Sequence, residues 1–114
     1  YIDEENQIMG SGYDEILLSP VPEEFALHQN YPNPFNPITT IQYDIPYQTD
    51  IRLIIFDILG REVTQLVDQT LDAGYHSTIW NGQDSFGLPV SAGVYFFQLQ
   101  SNDFIKTQKM ILLK

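Results

Sequence analysis

An all-β sandwich of about seven antiparallel strands is the fold that this 114-residue sequence predicts. Three observations lead there. Short apolar runs and turn residues alternate from Glu24 onward at the spacing typical of sandwich strands. No fifteen-residue window carries an apolar stripe at helical spacing. Pro32, Pro34 and Pro37 remove backbone donors and fix φ, which keeps Tyr31–Pro37 out of any helix or central strand.

The elements take shape in order. A first strand is placed near 25–30. Tyr31–Pro37 is then a rigid lead-in, because each residue before a proline is pushed toward extended geometry. Asn33 and Asn36 are placed to fold their amides onto nearby backbone, and Tyr31 and Phe35 supply apolar anchors. Ile41, Tyr43 and Ile45 alternate with Thr40, Gln42 and Asp44, a half-buried strand over 39–46 that Pro46 ends. Ile51–Phe56 shows little alternation, so the strand at 51–58 is expected in a sheet centre, covered on both faces. Leu59-Gly60 supplies a position for φ > 0 before a strand at 62–67, and Asp72-Ala73-Gly74 does the same before 74–81. Strands at 93–101 and 104–113, turned by Ser101-Asn102-Asp103, form the last hairpin.

Period two puts Ile41, Tyr43, Ile45, Leu53, Ile55, Val63, Trp80, Tyr95, Phe97 and Leu99 inside. His76 shares the parity of Trp80 and is expected on the inner face or its rim. In the last strand Met110/Leu112 and Ile111/Leu113 are equally apolar, so its parity stays open and one apolar face is free for a partner.

Charge divides the chain. The formal net charge is −10, yet seven of the fifteen acidic residues lie in the first 24 positions, which contain no Lys or Arg. Residues 1–24 are expected to be an acidic linker or docking segment, and residues 25–114 the sandwich. Within the leader, Ile16, Leu17 and Leu18 are the candidate for an added edge strand, on this molecule or a neighbour. Nucleic acid is excluded as a partner, since no basic stripe exists to neutralise phosphates. Membrane insertion is excluded because no apolar run approaches the ~20 residues that span a bilayer. With no cysteine to staple it, the domain relies on its own core. The chain starts at Tyr1, and the expectation is a piece of a longer exported protein with its signal peptide upstream.

Five sequence blocks in order carry a family resemblance: Tyr31–Pro46, Ile51–Val67 with Asp57-Ile58-Leu59-Gly60-Arg61, Ala73–Gly82, Asp84–Tyr95 and Lys109–Lys114. Together they resemble the type A C-terminal sorting domain of the type IX secretion system of Bacteroidetes and related phyla. The resemblance spans residues 25–114, with mild departures at Phe56, where Tyr is common, and Asn81, where Asp is common. It assigns Tyr31, Pro32, Asn33, Pro34, Phe35, Asn36, Gly60, Arg61, Trp80, Gly82, Gly87, Gly93 and Tyr95 to family motifs. The domain is also similar to the immunoglobulin-like domain of flagellar hook-capping proteins, which implies an Ig-like or fibronectin-type sandwich.

Catalytic constellations are missing from the sequence. Only His28 and His76 are available as bases, and adjacent strand residues such as His76 and Ser77 point to opposite faces. Neither histidine has a partner at metal-ligand spacing, so His76 is read as a packed, hydrogen-bonded residue and His28 as exposed. The acids of the domain are scattered through turns rather than paired across a cleft. Asn81, Gln83 and Asp84 before Gly87 partly match an oxygen-rich calcium loop, but the closing bidentate Glu is missing. The expected role of Asp84 is to close a turn with Gly87 at φ > 0. Most aromatics fall at inward parity, with Phe56, Phe86 and Phe96 the exposed candidates. The reading is no enzyme and no cofactor.

The resemblance implies a secretion signal carried by a folded domain. A cargo domain upstream would reach the periplasm and be recognised there by the type IX outer-membrane translocon. A sortase-like protease would then remove the domain and attach the cargo to anionic lipopolysaccharide at the cell surface, or release it. The expected recognition element is an exposed edge at the final strand, with Lys109, Met110, Ile111, Leu112, Leu113 and Lys114 as its residues. Lys109 and Lys114 give a basic tip suited to an acidic receptor, whereas Lys106 only blunts an edge strand. Two alternatives stay open: a surface or filament subunit that assembles with itself by strand donation from Ile16–Leu18, and a carbohydrate-binding accessory module of a secreted hydrolase.

Overall fold

The computed structural model describes residues 21–113. The leader segment Ile16–Leu18, most of the acidic stretch and Lys114 lie outside the described residues. Among the described residues seven strands form: β1 (Ala26–Leu27), β2 (Thr39–Ile45), β3 (Thr49–Phe56), β4 (Glu62–Leu71), β5 (Gly74–Trp80), β6 (Gly93–Gln100) and β7 (Ile105–Leu112). They build two antiparallel sheets, one ordered β1-β2-β5 and the other β4-β3-β6-β7. The expected all-β sandwich is the observed fold.

Period two decides the core. Ile41, Tyr43 and Ile45 of β2, Trp80 of β5, and Tyr95, Phe97 and Leu99 of β6 are buried, as are Leu53 and Ile55 of β3. The central position expected for β3 holds, since it pairs with both β4 and β6. Ile54 points away from the core, yet it too is buried; its cross-strand neighbours are Gln65 and Gln98. The last strand resolves the same way, with Met110 and Leu112 inside.

Three expectations change. Val63 is half-buried rather than core. The β3–β4 register skips Leu66 and Val63, so each is an extra residue on β4, and such bulges turn side chains toward the rim. The first strand shrinks to two residues, because one extra residue between His28 and Tyr31 interrupts a ladder that runs on along β2, with His28 N–H on Gln42 O and Tyr31 paired with Thr40. Tyr31 anchors by backbone alone: its N–H and C=O pair with Thr40, while its ring is 80% exposed.

A small polar knot holds the lead-in. Asn30 is buried, and its Nδ2 donates to Thr39 Oγ1 at 3.0 Å and to Pro32 O at 3.2 Å. Thr39 Oγ1 also donates to Pro32 O at 2.8 Å. A buried amide without partners would cost about 1–3 kcal/mol, and this knot supplies them.

Candidate functional site

Parts of all five sequence blocks, spread over some eighty residues of sequence, lie at one end of the sandwich: Phe35, the Asp57–Arg61 turn, Trp80 to Gly82, Asp84 to Tyr95 and Ile111 to Leu113, while Ala73 to His76 lie at the other end of β5. Phe35 is the hinge pin of the shared end. Its N–H donates to Ile111 O at 3.0 Å and its carbonyl accepts from Leu113 N at 2.7 Å, a parallel bridge to β7. Asn33 Oδ1 accepts the remaining Ile111 N–H at 3.0 Å, so its amide reaches the last strand rather than its own neighbourhood. The Phe35 ring is buried against Trp80, with centroids 5.7 Å apart, and Trp80 in turn meets Tyr95 edge-on at 5.3 Å. Trp80 Nε1 donates to Gln83 O, which fixes the start of the following loop. Tyr95, near the start of β6, donates its hydroxyl to Ser91 O four residues back at 2.6 Å. That is the arrangement of a tyrosine corner.

Gly82 shows how tightly this end is closed. Its φ is +74°, and a Cβ there would stand 3.2 Å from Pro37 O and 3.7 Å from a Leu112 methyl. Glycine is required by conformation and by space together.

Two aspartate-closed turns flank the closure. Asp57 Oδ1 accepts the N–H groups of Leu59 and Arg61, and Arg61 Nε donates to Asp57 Oδ2 at 2.8 Å. The backbone N–H of Arg61 is the first cause that holds the Asp57 carboxyl below its ordinary value, with the Arg61 side chain and the Leu59 N–H adding to it against some desolvation. Asp84 Oδ1 accepts from Phe86 N and Leu88 N, with Gly87 at φ +82°. Ser85 N donates to Val63 O at 3.2 Å, which ties this turn to β4. The turns present Ile58, Leu59, Phe86 and Leu88 to solvent, each more than half exposed. Asp84 is thus engaged by backbone donors. Among the described residues no three His, Cys, Asp or Glu side chains gather to hold a metal.

The final strand is placed differently from the exposed edge that was expected. Phe25 stacks on Phe104 at 5.1 Å, Gln108 Nε2 donates to Leu27 O at 3.0 Å, and Gln29 Nε2 donates to Lys109 O at 2.8 Å. With Asn33 and Phe35 these contacts run the lead-in alongside β7 and cover its outer edge. The coupling of Gln29 and Gln108 to distant main chain has no local sequence signal. Of the six tail residues, Met110 and Leu112 face the core, Ile111 is half-buried, and Lys109 and Leu113 are exposed; Lys114 lies outside the described residues.

Each histidine has a hydrogen-bond partner, and only His76 is packed. His76 stacks on Tyr43 and shares a hydrogen bond of 2.9 Å with Asp72 O, at the rim of the inner face. His28 is exposed and bonds Asp44 at 3.0 Å. Phe86 is 85% exposed as expected, whereas Phe56 and Phe96 are half-buried neighbours on the outer face of the four-stranded sheet. The other strongly exposed aromatics, Tyr31 and Tyr75, lie on the opposite sheet. Among the described residues, therefore, the aromatics form no flat exposed row.

The sequence matches, over residues 29–113, the family described as a secretion system C-terminal sorting domain. Among solved structures, dimeric latent PorU from Porphyromonas gingivalis is similar at 16% identity and a TM-score of 0.63, over 88% of this chain and 10% of that one. PorZ of the same organism, an essential surface component of its type-IX secretion system, is similar at 21% identity and 0.53, over 81% and 12%. The hook-capping protein FlgD from Xanthomonas campestris follows at 24% identity and 0.51, over 66% and 55%. This chain spans about a tenth of the length of PorU and PorZ. No curated protein matches it at a significant level. With a two-sheet sandwich, the five sequence blocks in order and the match over residues 29–113, this chain belongs to the family of type IX secretion system C-terminal sorting domains.

Proposed function

We propose that this domain directs an upstream cargo through the type IX outer-membrane translocon, and that the closed end around β7 is the part recognised. Family membership supplies the coarse statement: a sorting domain, non-catalytic in itself, marks its protein for the cell surface or the extracellular space by way of the secretion machinery. One observation supports the finer reading. Residues from separate elements, Phe35 of the lead-in, Gly82 of the loop after β5, and Gly93 and Tyr95 of β6, converge on the last strand and fix its position. A receptor of the folded domain meets Lys109, Ile111 and Leu113 there, with Lys114 beyond. On this reading a sortase-like protease cuts within residues 1–24, the acidic linker, and residues 25–114 are the sorting unit.

The test is a secretion assay in a host with a working type IX system. A periplasm-directed fluorescent protein carries the full chain at its C-terminus, either unchanged or with Lys109→Glu and Lys114→Glu together. Deleting the tail is the poorer test, since it would also remove the buried Met110 and Leu112. Export of the unchanged fusion and periplasmic retention of the charge-reversed one is the expected result. Retention of both refutes the sorting role for this chain, and export of both refutes the basic tip.

A further inference from the structure

A β-sheet edge is a row of unpaired donors and acceptors, and proteins blunt it with charge, proline, bulges or a covering segment. Among the described residues the sandwich has four edges, and three of them are blunted. The lead-in covers β7. Leu27 of β1 receives Gln108. The β4 edge carries Glu62 and Asp68, two bulges, and the Ser85–Val63 bond. The fourth edge, β5, reads Gly-Tyr-His-Ser-Thr-Ile-Trp and has no charge beyond a histidine, no proline and no bulge.

The direction of its free groups follows from the ladder. Thr40 exchanges hydrogen bonds with Tyr31, and Gln42 O accepts from His28, so both face the β1 side. Thr39, Ile41, Tyr43 and Ile45 therefore bond Trp80, Thr78, His76 and Gly74. The main-chain groups of Tyr75, Ser77 and Ile79 point outward, and among the described residues none meets them there. The side chains of Tyr75 and Ile79 are 65% and 61% exposed on the outer face.

We propose that this edge pairs with the β5 edge of a second copy of the chain, antiparallel, with Ser77 on the two-fold axis. The proposal is independent of the sorting role. In that register Tyr75 bonds Ile79 of the other copy and Ser77 bonds Ser77, so all three free positions are satisfied. The exposed Tyr75 ring lies beside the other copy's Ile79, an aromatic–β-branched pair of the favourable kind, made twice. Charge permits it: β5 carries no acid, and the nearest carboxylate in its ladder, Asp44 opposite Tyr75, stands about 20 Å from its symmetry mate by strand spacing and rise. That exceeds a Debye length of about 8 Å at physiological salt. The pairing is isologous and leaves only blunted edges, so it closes at two copies rather than growing a fibre. As one seven-residue strand pair it falls at the small end of interfaces, with a dissociation constant on the order of 0.1–1 mM.

Sedimentation equilibrium of the full chain tests this between about 10 μM and about 1 mM. The apparent mass should rise from 13.1 kDa toward twice that value. Ser77→Pro removes the central donor, whose N–H the monomer does not use, and should abolish the rise. Two double variants guard against misfolding as an explanation. Tyr75→Lys with Ile79→Lys sets like charges opposite each other and should abolish association, although it lowers the net negative charge. Tyr75→Glu with Ile79→Lys sets opposite charges together and should keep association within about threefold. A constant mass to 1 mM overturns the proposal, as does equal behaviour of the two double variants. Loss of association in Leu17→Asp overturns it too, by identifying the leader as the occupant.

Discussion

Replacing Phe35 by Ala isolates the contribution of the ring at the closed end. Both main-chain bonds of residue 35 to β7 survive the change, because they involve only its N–H and C=O. What is lost is a side chain 1% exposed, in contact with Trp80 and part of the main core cluster. Buried Phe→Ala changes cost about 3–5 kcal/mol, of which the aromatic contact accounts for about 0.5–1.5. For a domain whose whole stability is about 5–15 kcal/mol, that is about a fifth of it or more. Urea unfolding of the full chain, followed by the fluorescence of Trp80, the single tryptophan, measures the effect. The midpoint should fall by at least about 1 M at an ordinary slope. Tyr31→Ala is the control: a ring 80% exposed in the same motif, expected to cost within about 0.5 kcal/mol. A Phe35→Ala loss under about 1 kcal/mol, or a Tyr31→Ala loss of equal size, would refute the assignment of Phe35 as the pin and Tyr31 as a backbone contact.

The remaining predictions concern turns. Gly82→Ala should cost more than Gly87→Ala in the same denaturation assay: both pay about 1–2 kcal/mol for a left-handed φ, but only Gly82 has Pro37 O within 3.2 Å of the new methyl, while Gly87 has open space. Tyr95→Phe removes the donor to Ser91 O and should lose about 0.5–1.5 kcal/mol with the strand register unchanged in a two-dimensional amide spectrum. Asp57 has a folded pKa below the ordinary 3.8, so its stabilisation is present above that pH and is lost as pH falls through the lower folded value. Asp57→Asn should therefore be less stable than wild type at neutral pH and converge with it in acid; parallel stability curves from pH 7 to pH 2 would count against the Arg61–Asp57 turn.

Much of this fold is legible because period two and turn residues are local signals. The β2 and β6 faces follow from alternation, and the central place of β3 from its lack of it. Val63 was misplaced since a bulge is a property of the pair, not of one strand: the apolar residues of β4, at 63, 66, 67 and 71, keep no single parity, and only the pairing with β3 shows which of them are extra. Tyr31 and Phe35 look equivalent between their prolines, and only their strand partners, Thr40 for one and Ile111 with Leu113 for the other, separate them. The closed end was legible as a set of blocks, not as a place. Glycine and proline mark where the chain turns, yet nothing in a single sequence says that Gly82 faces Pro37 or that Asn33 reaches Ile111 across 78 residues.

On the proposed recognition of the tail, the cover over β7 decides in which state a receptor would meet it. Releasing the strand means breaking its ladder to β6, the two Phe35 bonds and the Asn33 and Gln29 bonds, and exposing Met110 and Leu112. That takes Met110 and Leu112 out of the core cluster and opens one flank of it to water, so local release of β7 should cost nearly as much as global unfolding. Amide hydrogen exchange on the full chain separates the cases. The Ile111 N–H, bonded to Asn33, should be protected within about tenfold of Phe97 in the sheet centre, while Ser77 N–H, on the open β5 edge, should exchange close to the unfolded rate in dilute solution. Such a result means that a receptor meets the tail as a fixed strand end framed by Lys109 and Leu113. If Ile111 instead exchanges as fast as Ser77, the strand end detaches in the native state, and a receptor can bind it as an extended peptide with the buried Met110 and Leu112 as its anchors.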